Sequence, residues 1–383
     1  MTGLYLHIPF CVRKCIYCDF YSLETLKGPI PDRLKAPLPD HSEFLDALER
    51  ELAGLPDGFR PETIFIGGGT PTELSDANLQ RLLQMIRTHT DLGALIEWTC
   101  ESNPGTLTAD KARMLLDAGI NRISMGVQSF DPANLEFLGR IHGPDDVLTG
   151  YTLLRDTGFT DINLDLIYGI PTSDLDKTRA DIDRVTGLNP EHVSCYCLTF
   201  EEGTPLMDMK RKGYVTEVDG ELEREQYQAI RSSLRTAGYT QYEISNFARP
   251  GRGCRHNQLY WGQGEYVGCG PSAHSHWQGR RYANVRSLRR YCRALLHGES
   301  AVDFEEQLPP EAKARETLVM GLRRMAGVSR DAFRDATGYD YRALSGAQIE
   351  YLCGIGMLED KNDILRLSEE GLFVSNSVFA ELV

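Results

Sequence analysis

No apolar run in the 383-residue sequence reaches the roughly 20 residues that a membrane-spanning helix requires. No membrane span is expected, and contact with a bilayer would be peripheral. Positive charge is also in deficit: 41 Lys and Arg stand against 55 Asp and Glu, a net charge of -14 at pH 7. A chain of that sign repels a phosphate backbone as a whole, so nucleic acid is not an expected partner. The leading segment, Met1 to Phe10, holds no Lys or Arg and no extended apolar stretch of the signal-peptide kind. A cytoplasmic location is expected from it. In a reducing compartment the ten cysteines are read as free thiols, metal ligands or nucleophiles rather than disulfides, and their spacing carries the information.

What is present describes an ordinary globular chain, with 41% hydrophobic and 25% charged residues. Its length predicts a large domain and a smaller one. Short apolar runs rich in β-formers alternate with longer amphipathic segments, the pattern of a parallel sheet covered by helices. Strands are predicted at Leu4 to Ile8, Thr63 to Ile66, Ile96 to Cys100, Arg122 to Val127, Ile162 to Ile167 and Val193 to Thr199, with helices such as Ser42 to Leu55 and Ser75 to Thr88 between them. Lys27 to Asp40 carries four prolines and reads as an extended loop. The fold class expected is α/β: a partial (β/α)6 TIM-like barrel over 1–250, a connecting segment over 251–300, and a small winged-helix-like α+β domain over 301–383. Residues 301–383 hold 9 basic and 15 acidic side chains, which suits a cover over the barrel better than a reader of DNA.

The sharpest motif is Cys11-Val-Arg-Lys-Cys15-Ile-Tyr-Cys18, three thiols in the loop after the first strand. Thiolates suit zinc or iron–sulfur clusters, but a structural zinc site takes four protein ligands and no local fourth is present. Three ligands on a [4Fe-4S] cluster leave one iron open to a substrate or cofactor. Zinc completed by His7, Asp19 or a distant cysteine is the alternative. Gly67-Gly-Gly-Thr-Pro71 follows the second strand, where glycines admit a ligand to the backbone N–H groups. Standing alone it would equally be a tight turn. Glu101 and Asn103, Gln128 and Ser129, and Asp165 recur at the carboxyl ends of later strands, the rim where βα barrels build active sites. Singly, Glu101 and Asp165 could be helix caps, Gln128 a surface amide and Arg140 a solvated charge.

These motifs resemble the radical SAM superfamily, whose CxxxCxxC loop and Gly-Gly-Thr-Pro turn correspond to Cys11–Cys18 and Gly68–Pro71. Tyr5-Leu-His-Ile-Pro-Phe-Cys11, Ile16-Tyr-Cys-Asp-Phe20, Glu101-Ser-Asn-Pro-Gly105, Gly126-Val-Gln-Ser-Phe130, Leu138-Gly-Arg-Ile-His142 and His256-Asn-Gln-Leu-Tyr-Trp261 are similar to the HemW branch of its HemN-like group. The resemblance implies that Cys11, Cys15 and Cys18 hold [4Fe-4S], and that Tyr5, Gly68, Gly69, Thr70, Glu101, Gln128, Arg140 and Asp165 bind S-adenosylmethionine (SAM). An electron donor such as flavodoxin or ferredoxin is implied with them. The coproporphyrinogen-oxidising members carry a further cysteine where Phe20 stands here, and an additional leading segment. Their reaction, oxygen-independent coproporphyrinogen III dehydrogenation, is therefore the alternative. The branch implies instead a chaperone that binds haem and delivers it to client haemoproteins.

For the haem, the motif residue His256 is the expected iron ligand, with Tyr260 and Trp261 against the macrocycle and His274 or His276 as alternatives. Six arginines from Arg280 to Arg293 could pair propionates or a client, or form a solvated helix face. Cys195, Cys197, Cys254 and Cys269 could serve a second metal, though small buried hydrophobes are the better reading.

Overall fold

The computed structural model of the protein describes residues 1–25 and 39–383. The proline-rich loop read over 27–40 therefore lies outside the described residues except for its last two positions. Six strands, β1 (Thr2–Ile8), β2 (Thr63–Gly68), β3 (Glu97–Ser102), β4 (Arg122–Gln128), β5 (Ile162–Tyr168) and β6 (His192–Cys197), lie side by side in chain order. All neighbours among them are parallel. The crossovers carry helices, chiefly α1 (His41–Ala53), α2 (Asp76–His89), α3 (Ala109–Ala118), α4 (Pro132–Leu138), α5 (Pro144–Thr157) and α6 (Leu175–Leu188). Their starts are set by side-chain caps: Asp40, Ser75, Thr108 and Asp174 each accept a bond from a backbone N–H three residues on.

Alternation along β1 sorts the two faces. Leu4, Leu6 and Ile8 are wholly buried in the core shared with Phe44, Leu45 and Leu48 of α1, each contributing roughly 1.5–3 kcal/mol. Tyr5 and His7, on the other face, line a large cavity inside the sheet.

The stretch 251–300, expected as a connecting segment, adds strands to the sheet. After β7 (Asn246–Ala248), which pairs antiparallel with β6, and α7 (Gly220–Thr236), which precedes it, the chain enters α8 (Arg255–Trp261) and then β8 (Glu265–Cys269). Strand β8 joins the free edge of β1 in parallel, from Thr2 opposite Glu265 to Leu6 opposite Cys269. Strands β9 (His274–Trp277), β10 (Arg280–Asn284) and β11 (Val302–Glu306) extend that edge antiparallel, with α9 (Leu288–Leu296) packed behind it. The result is a 12-stranded mixed sheet, open among the described residues, in which the six βα strands are the curved centre.

The small domain begins after β11, with α10 (Pro310–Leu322), α11 (Arg330–Thr337), α12 (Tyr341–Gly354) and a hairpin of β12 (Leu358–Lys361) and β13 (Ile364–Leu367). The hairpin turn is Asn362-Asp363, at φ 54° and 56°, the two left-handed residues that a tight two-residue turn demands. Leu318, Leu322, Phe333, Tyr341 and Leu365 form this domain's own core, which Tyr227 of α7 enters from the large domain. Among the described residues no helix is long and apolar enough to cross a membrane.

Candidate functional site

Backbone geometry brings the two leading motifs together. Gly69 N–H donates to the carbonyl of Ile8 at 2.8 Å and Thr70 N–H to that of Phe10 at 2.7 Å, so the glycine turn is laid against the start of the cysteine loop. A Cβ on Gly69 would stand 2.5 Å from Phe10 O and 2.7 Å from Ile8 O, both backbone atoms that cannot swing aside. Gly68 sits at φ +100°, where a Cβ would meet the His7 ring at 2.5 Å. Gly69→Ala should therefore destabilise the protein by about 1–3 kcal/mol in urea titration. Gly187→Ala, at a helical site in α6 with nothing within 4 Å, should be neutral or stabilising. Equal effects at both positions would remove the turn from this role.

A chain of polar contacts then links two of the three cysteines. Thr70 Oγ1 donates to Cys11 Sγ at 3.5 Å and accepts from Asn103 Nδ2 at 2.7 Å; Asn103 Oδ1 accepts from Arg140 Nη2 at 2.6 Å. Arg140 Nη1 reaches Cys15 Sγ at 3.4 Å, and Nη2 also donates to Gly126 O at 2.7 Å. Donors aimed at sulfur favour thiolate. Burial alone acts the other way: it raises Cys11, and, with the neighbouring Cys15, it pushes Cys18 up to about 11. Among the described residues no group of three His, Cys, Asp or Glu side chains placed to hold a single metal ion is found. Cys195, Cys254 and Cys269 are individually buried on β6, before α8 and on β8, and Cys197 is half-buried.

Deeper in the cavity, Glu101 Oε2 accepts from Gly68 N–H at 3.1 Å. Burial first, then the charge of Asp165, push Glu101 up to about 8. Burial also raises Asp165, although Asn163, Ser194 and Ser124 offset it; Asn163 Nδ2 lies 2.7 Å from Oδ1 and Ser124 Oγ 3.1 Å from Oδ2. Two carboxyls that a cation would ionise are thus held opposite a glycine turn. Gln128 ends β4 at φ 71°, where the register with β5 slips, which turns it into the cavity. Tyr5 hydroxyl bonds His7 Nδ1 at 3.0 Å, and His7 Nε2 donates to Tyr21 O at 2.7 Å. The cavity therefore collects Tyr5, Gly68, Gly69, Thr70, Glu101, Gln128, Arg140 and Asp165 beside Cys11, Cys15 and Cys18. Asn103, named at the sequence level only as a rim residue, proves to be the hinge of the thiol network.

The residues considered for haem are placed differently. His256 is 1% exposed, with Nδ1 at 2.8 Å from Thr63 Oγ1 and Nε2 at 2.8 Å from Tyr260 hydroxyl. Both ring nitrogens are engaged, so ligation by His256 requires one of these bonds to open; in the geometry seen it braces α8 against β2. His276 Nδ1 lies 3.0 Å from Gly264 O, whereas His274 is exposed on the cavity wall. The arginine stretch is largely spoken for: Arg280 pairs with Glu305, Arg281 with Glu306 and Glu316, Arg286 with Asp19 and Arg290 with Asp303. Phe20, 67% exposed, stands at the cavity mouth.

Comparison with known proteins bears on these features. Residues 5–185 match the radical SAM superfamily and residues 308–374 the HemN C-terminal domain. The chain is 35% identical to the haem chaperone HemW of Bacillus subtilis, covering 99% of this chain and 98% of that protein, and 35% identical to HemW of Escherichia coli, covering 98% and 96%. A mouse relative, radical S-adenosyl methionine domain-containing protein 1, mitochondrial, is 32% identical across 100% of this chain and 87% of that protein. Among solved structures, coproporphyrinogen III oxidase (HemN) from Escherichia coli superposes with a TM-score of 0.84 at 23% identity, covering 100% of this chain and 89% of that chain. That likeness is one of fold.

Proposed function

The chain belongs to the HemW family of the radical SAM superfamily, and on that premise we propose that it is a cytoplasmic haem chaperone that holds haem in the cavity behind the cysteine loop and passes it to client haemoproteins. The observation that carries this reading is the cavity itself. It measures about 1850 Å³ and runs from Cys11, Cys15 and Cys18 past the strand ends to the small domain. Typical small-molecule sites occupy roughly 300–1,000 Å³, so there is room for SAM and a tetrapyrrole together.

The residues fit the group that the family implies. Cys11, Cys15 and Cys18 would hold a [4Fe-4S] cluster, with Thr70 and Arg140 donating to two of the sulfurs. Glu101 and Asp165 would meet the cationic and hydroxyl groups of SAM, the glycine turn its backbone-binding edge, and Gln128 its polar rim. When bound and reduced by an electron donor, cluster and SAM together supply one-electron cleavage of a carbon–sulfur bond. The part of this chain is to position the sulfonium and to keep water from it.

For haem, His256 is carried forward as iron ligand at the expense of its bond to Tyr260. Tyr260→Phe removes the competitor for Nε2, so it should preserve or tighten haem binding, whereas His256→Ala should shift the Soret band and weaken binding. An unaltered spectrum and affinity in His256→Ala would eliminate this ligand and leave exposed His274 as the one to replace next. The reading as a whole is tested by anaerobic reconstitution followed by haem titration and a coproporphyrinogen assay on the same sample. Stable haem binding without porphyrinogen turnover is expected. Protoporphyrinogen formation would make the protein an oxidase despite Phe20.

A further inference from the structure

Where the small domain closes the cavity, one cation stands out. Arg122, Arg140, Arg224, Arg281 and Arg286 also line the cavity, and each has a carboxylate, amide or thiol partner. Apart from Arg13, exposed on the cysteine loop, and Arg140, which is held by Asn103, Gly126 and Cys15, Arg323 is the cavity arginine with no carboxylate within the 4.0 Å of an ion pair among the described residues. Its Nε is buried without a partner. The guanidinium lies over Trp261, with Cζ 4.4 Å from the ring centroid, and Trp261 Nε1 is likewise buried without an acceptor. Two adjoining donors thus face no acceptor.

Glu243 is the nearest negative group to act on Arg323. Its Oε1 is taken by Ser245 N–H at 2.9 Å and by Asn246, and its Oε2 has no partner, so it acts through the field and not through contact. Burial pulls the Arg323 guanidinium below its ordinary value, with Glu243 opposing. A half-buried guanidinium left without a fork-shaped partner is costly, and an entering carboxylate matches it bidentately.

We infer that Arg323, seated over the Trp261 ring, anchors a propionate carboxylate of a tetrapyrrole bound in the cavity. This rests on the haem reading above and assigns the cargo's acidic edge to the small domain, in place of an arginine stretch in which Arg280, Arg281, Arg286 and Arg290 already hold carboxylates. The arrangement explains why the last residue of the His256–Trp261 segment touches the small domain: cargo would bridge the two domains and hold the cover shut.

The test uses the reconstituted full-length protein with three probes: haem, iron-free coproporphyrin III, and haem dimethyl ester, whose propionates are blocked. Replacement Arg323→Gln should weaken both free acids about tenfold, the contribution of one charge-assisted hydrogen-bond pair, while leaving the ester and SAM unchanged. Arg323→Lys, which keeps the charge and loses the fork, should fall between. It carries the same comparison should the Gln variant not fold, as judged by circular dichroism. Unchanged affinity for the acids, or an equal loss for the ester, would overturn the inference and leave Arg323 serving Glu243 and Trp261 alone, with the chaperone reading intact. Arg323-dependent binding of coproporphyrin without haem binding would uphold the inference and sink the chaperone reading. Failure of the wild type to bind either acid would end both.

Discussion

Replacing Cys15 with alanine is expected to leave a folded protein that cannot retain iron and sulfide after anaerobic reconstitution. Cys15 is 9% exposed and meets Arg140 Nη1 at 3.4 Å, so it is the most enclosed of the three thiols of the loop. In the metal-free chain its loss removes one small buried group, about 1 kcal/mol. In the loaded protein, on the ligand set proposed above, it would remove a ligand outright. Changes in groups that merely orient ligands cost roughly 10–100-fold in metal affinity, and loss of a ligand should exceed that. Arg140→Met supplies the milder case, since it deletes the donor to Cys15 and the bond to Asn103 while sparing all three thiols. Cys195→Ala is the control: this thiol is buried on β6 away from the loop, and its variant should lose some stability and no iron. Iron and sulfide at wild-type stoichiometry in Cys15→Ala, or their loss in Cys195→Ala, would overturn the ligand assignment.

The central strands and the cysteine loop were legible because their signals are local. Leu4-Tyr-Leu-His-Ile8 announces its two faces by alternation, and the Cys11 to Cys18 spacing depends on no other part of the chain. What eluded the sequence is non-local. Strand β8 pairs with β1 from more than 250 residues away, and the intervening Gly-rich, His- and Arg-bearing run reads locally as a connector. The fates of the charged side chains were equally hidden. Whether an arginine is free depends on carboxylates elsewhere in the chain, as with Arg281 and Glu316 or Arg286 and Asp19. His256 shows the same limit: its neighbours in sequence suggest an aromatic pocket, but Thr63, 193 positions earlier, takes one of its nitrogens.

A second large effect is expected at Glu101, and its sign follows from burial. In the ligand-free cavity Glu101 is raised to about 8 by burial and by Asp165, so near pH 7 it carries a proton. The cationic groups of SAM favour the carboxylate. Binding should therefore release a proton and tighten as pH rises from about 6.5 to 8.5, levelling once Glu101 is ionised without ligand. Calorimetry in buffers of different ionisation heat reads that proton directly. Glu101→Gln should weaken SAM by roughly 10–100-fold, the range for one hydrogen bond to a charged group, and flatten the pH dependence, with iron content unchanged. Stability should move the opposite way. Because the folded value lies above the ordinary 4.5, Glu101 favours the folded state fully below pH 4.5 and loses that contribution as pH climbs to about 8. At pH 8 the glutamine variant, free of a buried carboxylate, should thus be more stable than the parent by on the order of 2–4 kcal/mol. Weaker SAM binding together with greater stability is the signature of a group kept for its ligand. Loss of both would identify Glu101 as a structural tie to the glycine turn, and unchanged SAM affinity would remove it from the pocket.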